Sequence, residues 1–406
     1  MAERIEFMKN INIDFSKLPP LELEMPHLFT EADEALKGKS VLHKGISVKT
    51  ELAEVLRNLL LIPAHEYEIW RNVCYVLKNE GFEAGLFYAW SATADNYDED
   101  ACRKLWRDTT VRDDGLRMGT LVHMAQQSCQ SSPEMLPAPS SDDANELFLQ
   151  FYSYLVSNYP ENSWVEIVYR SFEKKGKHIP ARNQAEYLAV PLQDQDIINV
   201  FFHALENNAA GVWGSLNPVC SPENLKGKAT SDDDVIDFRY ALVECDSMTK
   251  EAQWEFLHRY HLPIQSVVWS GGKSLHAVVK IDAGNDKELY KTRVNALFTY
   301  LEYLGMPIDK ANRNPGRLTR LPGFKRNNDL QYCVAEEMGP ANWQNFIPYL
   351  DLVLDNIESE KKKLQSESKH MDARALTSPV NGQKGGRPEM PVTDFARDFF
   401  YANKNA

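Results

Sequence analysis

The chain of 406 residues has no apolar run near the ~18 residues that suggest a membrane-spanning helix. It has no C-x-x-C pair and no Cys/His cluster at zinc spacing. The six cysteines (Cys74, Cys102, Cys129, Cys220, Cys245, Cys333) are scattered, so reduced thiols are the plain expectation and no zinc is expected. An amino-terminal secretory pattern is also lacking, and a soluble intracellular protein with no membrane partner is expected. Excess positive charge is absent too. The net charge of −13 argues against a sequence-independent coat of nucleic acid over the whole surface, though not against a local basic groove. What is present is ordinary for a globular protein of two or three domains: 43% hydrophobic and 25% charged residues.

Residues 1–48 show little periodicity and read as an irregular arm. Helical patterning begins at Lys49, and His65 to Asn79 places Trp70, Val73, Cys74 and Leu77 at i, i+3, i+4 and i+7, an amphipathic stripe. Further helices are expected over Phe82–Thr93, over Asp98–Asp108 and from Met118, where Thr120 is a candidate cap. Residues 49–127 therefore read as a small all-α domain. The Ser-, Pro- and Asp-rich residues 128–145 read as a linker.

Residues 146–360 read differently. Helices are expected at Glu146–Tyr159 and Asp194–Asn208, with a strand at Gly211–Val219. From Phe238 the order is strand (to Glu244), helix (Lys250–His261), strand (Ser266–Ser270), strand (Ser274–Ile281), helix (Asp286–Leu304) and strand (Leu330–Ala335). That order predicts an α+β domain with helices packed on one face of a sheet. Trp343–Ser359 reads as a closing helix. The polar residues 361–406 read as a tether ending in a short apolar piece, Asp394–Tyr401, expected to begin a further domain.

Three motifs in the α+β part carry chemistry. The strand ALV runs into Glu244-Cys245-Asp246, and acids at i and i+2 of a strand share a face, so both can address one metal site. Asp309 follows after a second apolar approach, Met306-Pro307-Ile308. Few carboxylates, completed by substrate phosphates, suit Mg²⁺ or Mn²⁺, and two such ions would support nucleotidyl transfer. The second motif is SGGKSLH. It is not a Walker A loop, because position 267 is Val where that loop needs Gly and because LHAVVKI alternates like a strand. A strand-loop-strand turn there brings Ser270, Lys273, Ser274 and His276 toward a triphosphate, or else is a plain hairpin with a buried histidine. Third, Lys310 to Arg326 holds six Lys or Arg and no acid. Its Pro and Gly residues favour a structured loop in which Arg317, Arg320, Lys325 and Arg326 hold phosphate, against the alternative of a solvated cationic loop. Asn217 either faces the same cleft or simply forms a turn. Trp213, Trp254 and Trp269 read as core rather than base-stacking platforms.

With these motifs in this order, residues from about 146 to 350 resemble the archaeo-eukaryotic primase superfamily, most closely the primase-polymerases of phages, plasmids and other mobile elements. Its acid-x-acid motif corresponds to Glu244-Cys245-Asp246, its Ser-x-His motif to Ser274-Leu275-His276, and its third acid to Asp309 ahead of the Arg-rich segment. The resemblance implies an RRM-like catalytic core, two metal ions held by Glu244, Asp246 and Asp309, and His276 with nearby cations on the incoming nucleoside triphosphate. It also implies a single-stranded DNA template and, downstream, a superfamily 3-like replicative helicase, in the cytoplasm of a bacterial host cell. Residues 49–127 are similar to the type 2 primase C-terminal domain, through Trp70, Leu77, Trp90-Ser91, Tyr97, Trp106 and Gly119-Thr120-Leu121. That domain usually follows the catalytic core, and here it precedes it. The function expected is a DNA primase-polymerase. The alternatives are a primer-dependent repair or gap-filling polymerase, and a non-catalytic DNA-binding module for replication initiation.

Overall fold

Helical periodicity in the first third of the chain becomes a bundle built around the buried Trp90 indole, with Trp70 and Trp106 half-buried against the same core. The computed structural model describes residues 52–376, apart from 129–134, 140–145, six positions between 147 and 158, 208–209 and 327. The expected arm, most of the linker and the Asp394–Tyr401 piece lie outside the described residues. The bundle comprises α1 (Leu52–Leu61), α2 (Tyr67–Asn79), α3 (Ala84–Ser91), α4 (Glu99–Asp108) and α5 (Met118–Ser128). On α2 the stripe Val73, Cys74 and Leu77 is fully buried. Asp98 caps α4, its carboxylate accepting the Ala101 N–H at 3.0 Å. Thr120 is not a cap: α5 begins at Met118, and Thr120 sits in its first turn. The buried Trp90 indole donates to the carbonyls of Leu59 (3.0 Å) and Ile62 (3.1 Å), satisfying acceptors at the α1 C-terminus.

The α+β core opens with β1 (Trp164–Val168), a hairpin of β2 (Ser171–Lys174) and β3 (Lys177–Pro180), β4 (Glu186–Ala189), α6 (Asp194–Asn207) and β5 (Trp213–Ser215). Then come β6 (Tyr240–Val243), α7 (Lys250–Arg259), β7 (Ile264–Trp269), β8 (Leu275–Lys280), α8 (Lys287–Leu304), β9 (Leu318–Arg320), a small hairpin of β10 (Lys325–Arg326) and β11 (Asp329–Leu330), β12 (Tyr332–Met338) and α9 (Trp343–Leu376). From β6 to β12 the main elements run strand, helix, strand, strand, helix, strand, as expected. Asp286 accepts the N–H groups of Glu288 and Leu289 to start α8, and Gly305 at φ 104° ends it. Helix α9 runs past the expected end near Ser359, because EKKKLQSESKHMDARAL contains good helix formers and neither Gly nor Pro.

Two antiparallel sheets result, ordered β12-β7-β8-β6 and β4-β1-β5-β9. Strand alternation divides the first between two cores. Ala241, Val243, Val267, Ala277 and Val279 share a cluster with residues of α7, α8 and α9, and with the α1–α5 bundle. Tyr240, Leu242, Val268 and Val278 face the other way, into a cluster with Val165 and Ile167 of β1 and with Leu216 and Leu321. Helices α7, α8 and α9 share the core on one face of this sheet. On the other face the core is shared with the second sheet and with Ile197, Val200, Phe201 and Ala204 of α6, so helical residues contribute to both cores. Strands β1, β4 and β9 were not anticipated. They are three to five residues long, and β4 and β9 have too few alternating positions to show a period.

Candidate active site

Glu244 and Asp246 follow the last ladder residue of β6, where the strand leaves the sheet. Register places Val243 opposite Ala277, so Glu244 emerges beside His276 on β8. His276 Nε2 lies 3.0 Å from Glu244 Oε2. On its other side His276 Nδ1 accepts the Arg320 N–H at 3.4 Å, an arrangement that leaves the proton on Nε2, directed at the carboxylate. Burial works against the charged form of Glu244. The hydrogen bond from His276, the adjacent Asn312 amide and the Arg317 guanidinium outweigh it and hold the carboxyl down to about 2. Asp246 is exposed at the mouth of the site.

The opposite wall comes from the second sheet. Register pairs Arg320 on β9 with Trp213 on β5, and the Arg320 guanidinium lies 3.9 Å from the Trp213 ring centroid while donating to the Ala210 carbonyl at 2.6 Å. Burial, assisted by nearby Arg326 and opposed by Glu244, pushes Arg320 down to about 9, so it remains protonated at neutral pH. Between the walls lies a cleft of about 320 Å³ lined by Glu244, Asp246, Ser274, His276, Arg317, Arg320 and Arg326. Arg182, Trp213, Asn314 and Gly316 also line it. Seven of the expected site residues therefore meet in one place.

The remaining five stand elsewhere. Asn217 is buried and does not line the cleft. Its side chain donates to the carbonyls of Tyr240 (2.9 Å) and Pro315 (3.0 Å) and accepts the N–H groups of Arg239 and Tyr240 (both 2.8 Å). It thus staples the start of β6 to the Arg-rich loop, a positioning role that leaves it no capacity for a nucleotide. Ser270 is buried, Lys273 and Lys325 are exposed, and none of the three is on the cleft wall. Asp309 lies next to the first acid through its backbone, whose N–H donates to the Glu244 carbonyl at 3.3 Å. Its carboxylate caps the short turn Lys310–Arg313 by accepting the Ala311 N–H, and lies 3.8 Å from Arg317.

Sequence reasoning missed three supports. Glu166 on β1, with no exposed surface, forms a forked ion pair with Arg182, whose remaining nitrogen donates to the Gly316 carbonyl at 2.8 Å. Trp213 is the platform under Arg320, not only a core residue. Gln253 on α7, also fully buried, donates to the carbonyls of Met248 and Lys273 and accepts the Leu275 N–H, tying the acid loop to the Gly-rich turn. In that turn Gly271 has φ 66°, and a Cβ on Gly272 would stand 2.6 Å from an Arg326 guanidinium nitrogen. Two glycines are what let Arg326 lie against the turn.

Glu244 and Asp246 offer the hard oxygen donors that a divalent cation takes when phosphate oxygens and water complete its shell. Among the described residues no three Asp, Glu, His or Cys side chains form a ready-made metal cluster, and Asp309 does not line the cleft. The donor set fits a cation held by the pair, with Asp309 adjoining.

Residues 53–125 match the family Primase C terminal 2 (PriCT-2), in agreement with the likeness read from the helical stretch. No curated protein sequence matches the chain. Solved structures similar to it include the AEP domain of the cyanophage S-2L primase-polymerase, at 14% identity and a TM-score of 0.33, covering 50% of this chain and 97% of that one. Primase RepB′ is similar at 14% identity and a TM-score of 0.31, covering 56% and 68%. The catalytic domain of primase RepB′ in complex with initiator DNA is similar at 14% identity and a TM-score of 0.32, covering 53% and 98%. Overlap this slight leaves the core to be judged on its own geometry. No helix among the described residues is long and apolar enough to cross a membrane.

Proposed function

We propose that the chain is a DNA primase-polymerase that joins nucleoside triphosphates on a single-stranded template. One observation carries the proposal: Glu244 and Asp246 share a single cleft with Arg317, Arg320 and Arg326, set between two sheets. A carboxylate pair facing several guanidiniums suits a polyanionic substrate bridged to the acids by cations, whereas a cleft for a neutral ligand has no use for either wall.

In this reading Glu244 and Asp246 hold Mg²⁺ or Mn²⁺, which when bound would activate the attacking 3′-hydroxyl and stabilise the leaving pyrophosphate. Asp309, joined to the Glu244 backbone, would complete the acidic side. Arg317, Arg320 and Arg326 bind the triphosphate, with Ser274 beside them. His276, already bonded to Glu244, holds that carboxylate charged and oriented. Arg320 is fixed in advance by Trp213 and Ala210, so little ordering remains when phosphate arrives. A downstream helicase partner belongs to the same reading.

The test is synthesis on unprimed and primed single-stranded DNA with labelled nucleotides and Mn²⁺ or Mg²⁺, beside a Glu244→Ala/Asp246→Ala variant. Product on the unprimed template that disappears in the variant establishes a primase using these acids. Product on the primed template alone makes it a primer-dependent repair or gap-filling polymerase. Product in neither arm, with DNA binding retained, leaves a non-catalytic replication-initiation module.

A further inference from the structure

The β2–β3 hairpin is a two-stranded sheet of its own, paired with neither main sheet. Its register sets Phe172 opposite Ile179 and Lys174 opposite Lys177. Because strand residues alternate, these four share one face, while Ser171, Glu173, His178 and Pro180 share the other. The first face is solvent-exposed, with Phe172 at 50% and Ile179 at 36% of full exposure. Nothing in the hairpin's own stability explains that composition. Lysines directly opposite each other repel, exposed Phe and Ile gain little from folding, and an isolated two-stranded hairpin is marginal. The tip is Lys175-Gly176, both at positive φ (53° and 71°), so a lysine occupies a position that favours Gly or Asn.

An aromatic ring flanked by lysines on an extended ribbon suits single-stranded nucleic acid, whose bases stack on the ring while phosphates meet the ammonium groups. The hairpin's position agrees. Pro180, at its base, lines the cleft that holds Glu244 and Asp246, and Arg182 two residues on is anchored there by Glu166. The ribbon extends roughly 10–14 Å from that base, at ~3.4 Å per strand residue. From 170 to 182 there are five Lys or Arg and one acid, in a chain of net charge −13, so the cationic character is local.

We infer that the Phe172/Lys174/Lys177 face of this hairpin holds the single-stranded DNA just outside the cleft. The inference rests on the polymerase reading for the identity of the strand, but its test does not need catalysis. Binding of the full chain to fluorescein-labelled oligothymidylate is followed by anisotropy across a salt series. Phe172→Ala should weaken binding on the order of tenfold with the salt slope unchanged. Lys174→Gln/Lys177→Gln should weaken it at low salt and reduce the log–log salt slope by about 1.4, the value for two single-strand phosphate contacts. Both changes lie on an exposed arm, and unchanged melting curves verify the fold. Wild-type affinity and slope in both variants would overturn the inference, even if the protein synthesises DNA. Loss of self-association in Phe172→Ala with DNA binding intact would overturn it in favour of a protein contact. Synthesis failing while the two binding effects appear would remove the polymerase reading and leave the hairpin as a DNA-binding arm.

Discussion

The two sheets meet the cleft with opposite charge and with different degrees of preparation. The β12-β7-β8-β6 sheet brings Glu244, Asp246 and His276, of which Asp246 is exposed and Glu244 is tied to His276. The β4-β1-β5-β9 sheet brings Arg320, and beside it Arg182 is anchored on β1. Both guanidiniums are already fixed: Arg320 by an aromatic platform and a carbonyl, Arg182 by a buried carboxylate and a carbonyl. A guanidinium is long and rotamer-rich, so holding it in advance removes an ordering cost at the moment of binding. The acids sit on short side chains at a strand end and need less support. The cationic wall is therefore where the fold is invested, and the acidic wall is where the proposed chemistry is most sensitive.

The comparison breaks most directly at the acids. Asp246→Asn or Glu244→Gln should lower nucleotide incorporation by about a hundredfold or more while leaving denaturant midpoints near wild type for the exposed Asp246. Full incorporation by a folded Asp246→Asn would remove the acidic wall from the mechanism. On the cationic side the first loss should be stability. Arg182→Ala leaves Glu166 buried without its partner and should cost about 3–5 kcal/mol in chemical unfolding. Arg182→Lys, which keeps charge but not the fork, should recover only part of that.

A smaller effect separates support from contact. Asn217→Ala strands the N–H groups of Arg239 and Tyr240 and should cost about 2–3 kcal/mol of stability. The KM for nucleotide in the folded fraction should change little. A large KM change at unchanged stability would return Asn217 to the binding residues. The mildest test is Gly272→Ala, in which the new methyl displaces the mobile end of Arg326. A few-fold rise in nucleotide KM with kcat unchanged is expected from steady-state kinetics, as for lost uniform binding. No change would place Arg326 outside the phosphate site.

Much of the acidic wall was legible because its information is local. Glu244 and Asp246 stand out as an acid pair after ALV, yet β6 ends at Val243 and Asp246 lies in a turn, so the cleft they share is not set by strand alternation. Ser274 and His276, at alternate positions ahead of AVVK, do follow the strand period. The cationic wall was legible only as composition. Six cations between Lys310 and Arg326 signalled a basic loop, yet only Arg317, Arg320 and Arg326 of those six reach the cleft wall, and Lys325 does not. Arg182, 62 residues before Glu244, sits in a short irregular turn with no period to mark it. Glu166 reads in sequence as a polar residue of an apolar segment, WVEIV. Its one available signal was a charge at a position whose neighbours are all apolar, which in a buried strand demands a partner.

The residues' own spacing set the order of the main elements from β6 to β12 and the helical stripe of α2. Each depends on residues a few positions apart, where the backbone's own period transmits the information. Only the tertiary structure decided that a second sheet covers the first, that Arg320 stacks on Trp213, that Asn217 is a staple and that Glu166 anchors Arg182. Those outcomes depend on which distant segments come to share one buried surface, and burial then requires every polar group there to find a partner.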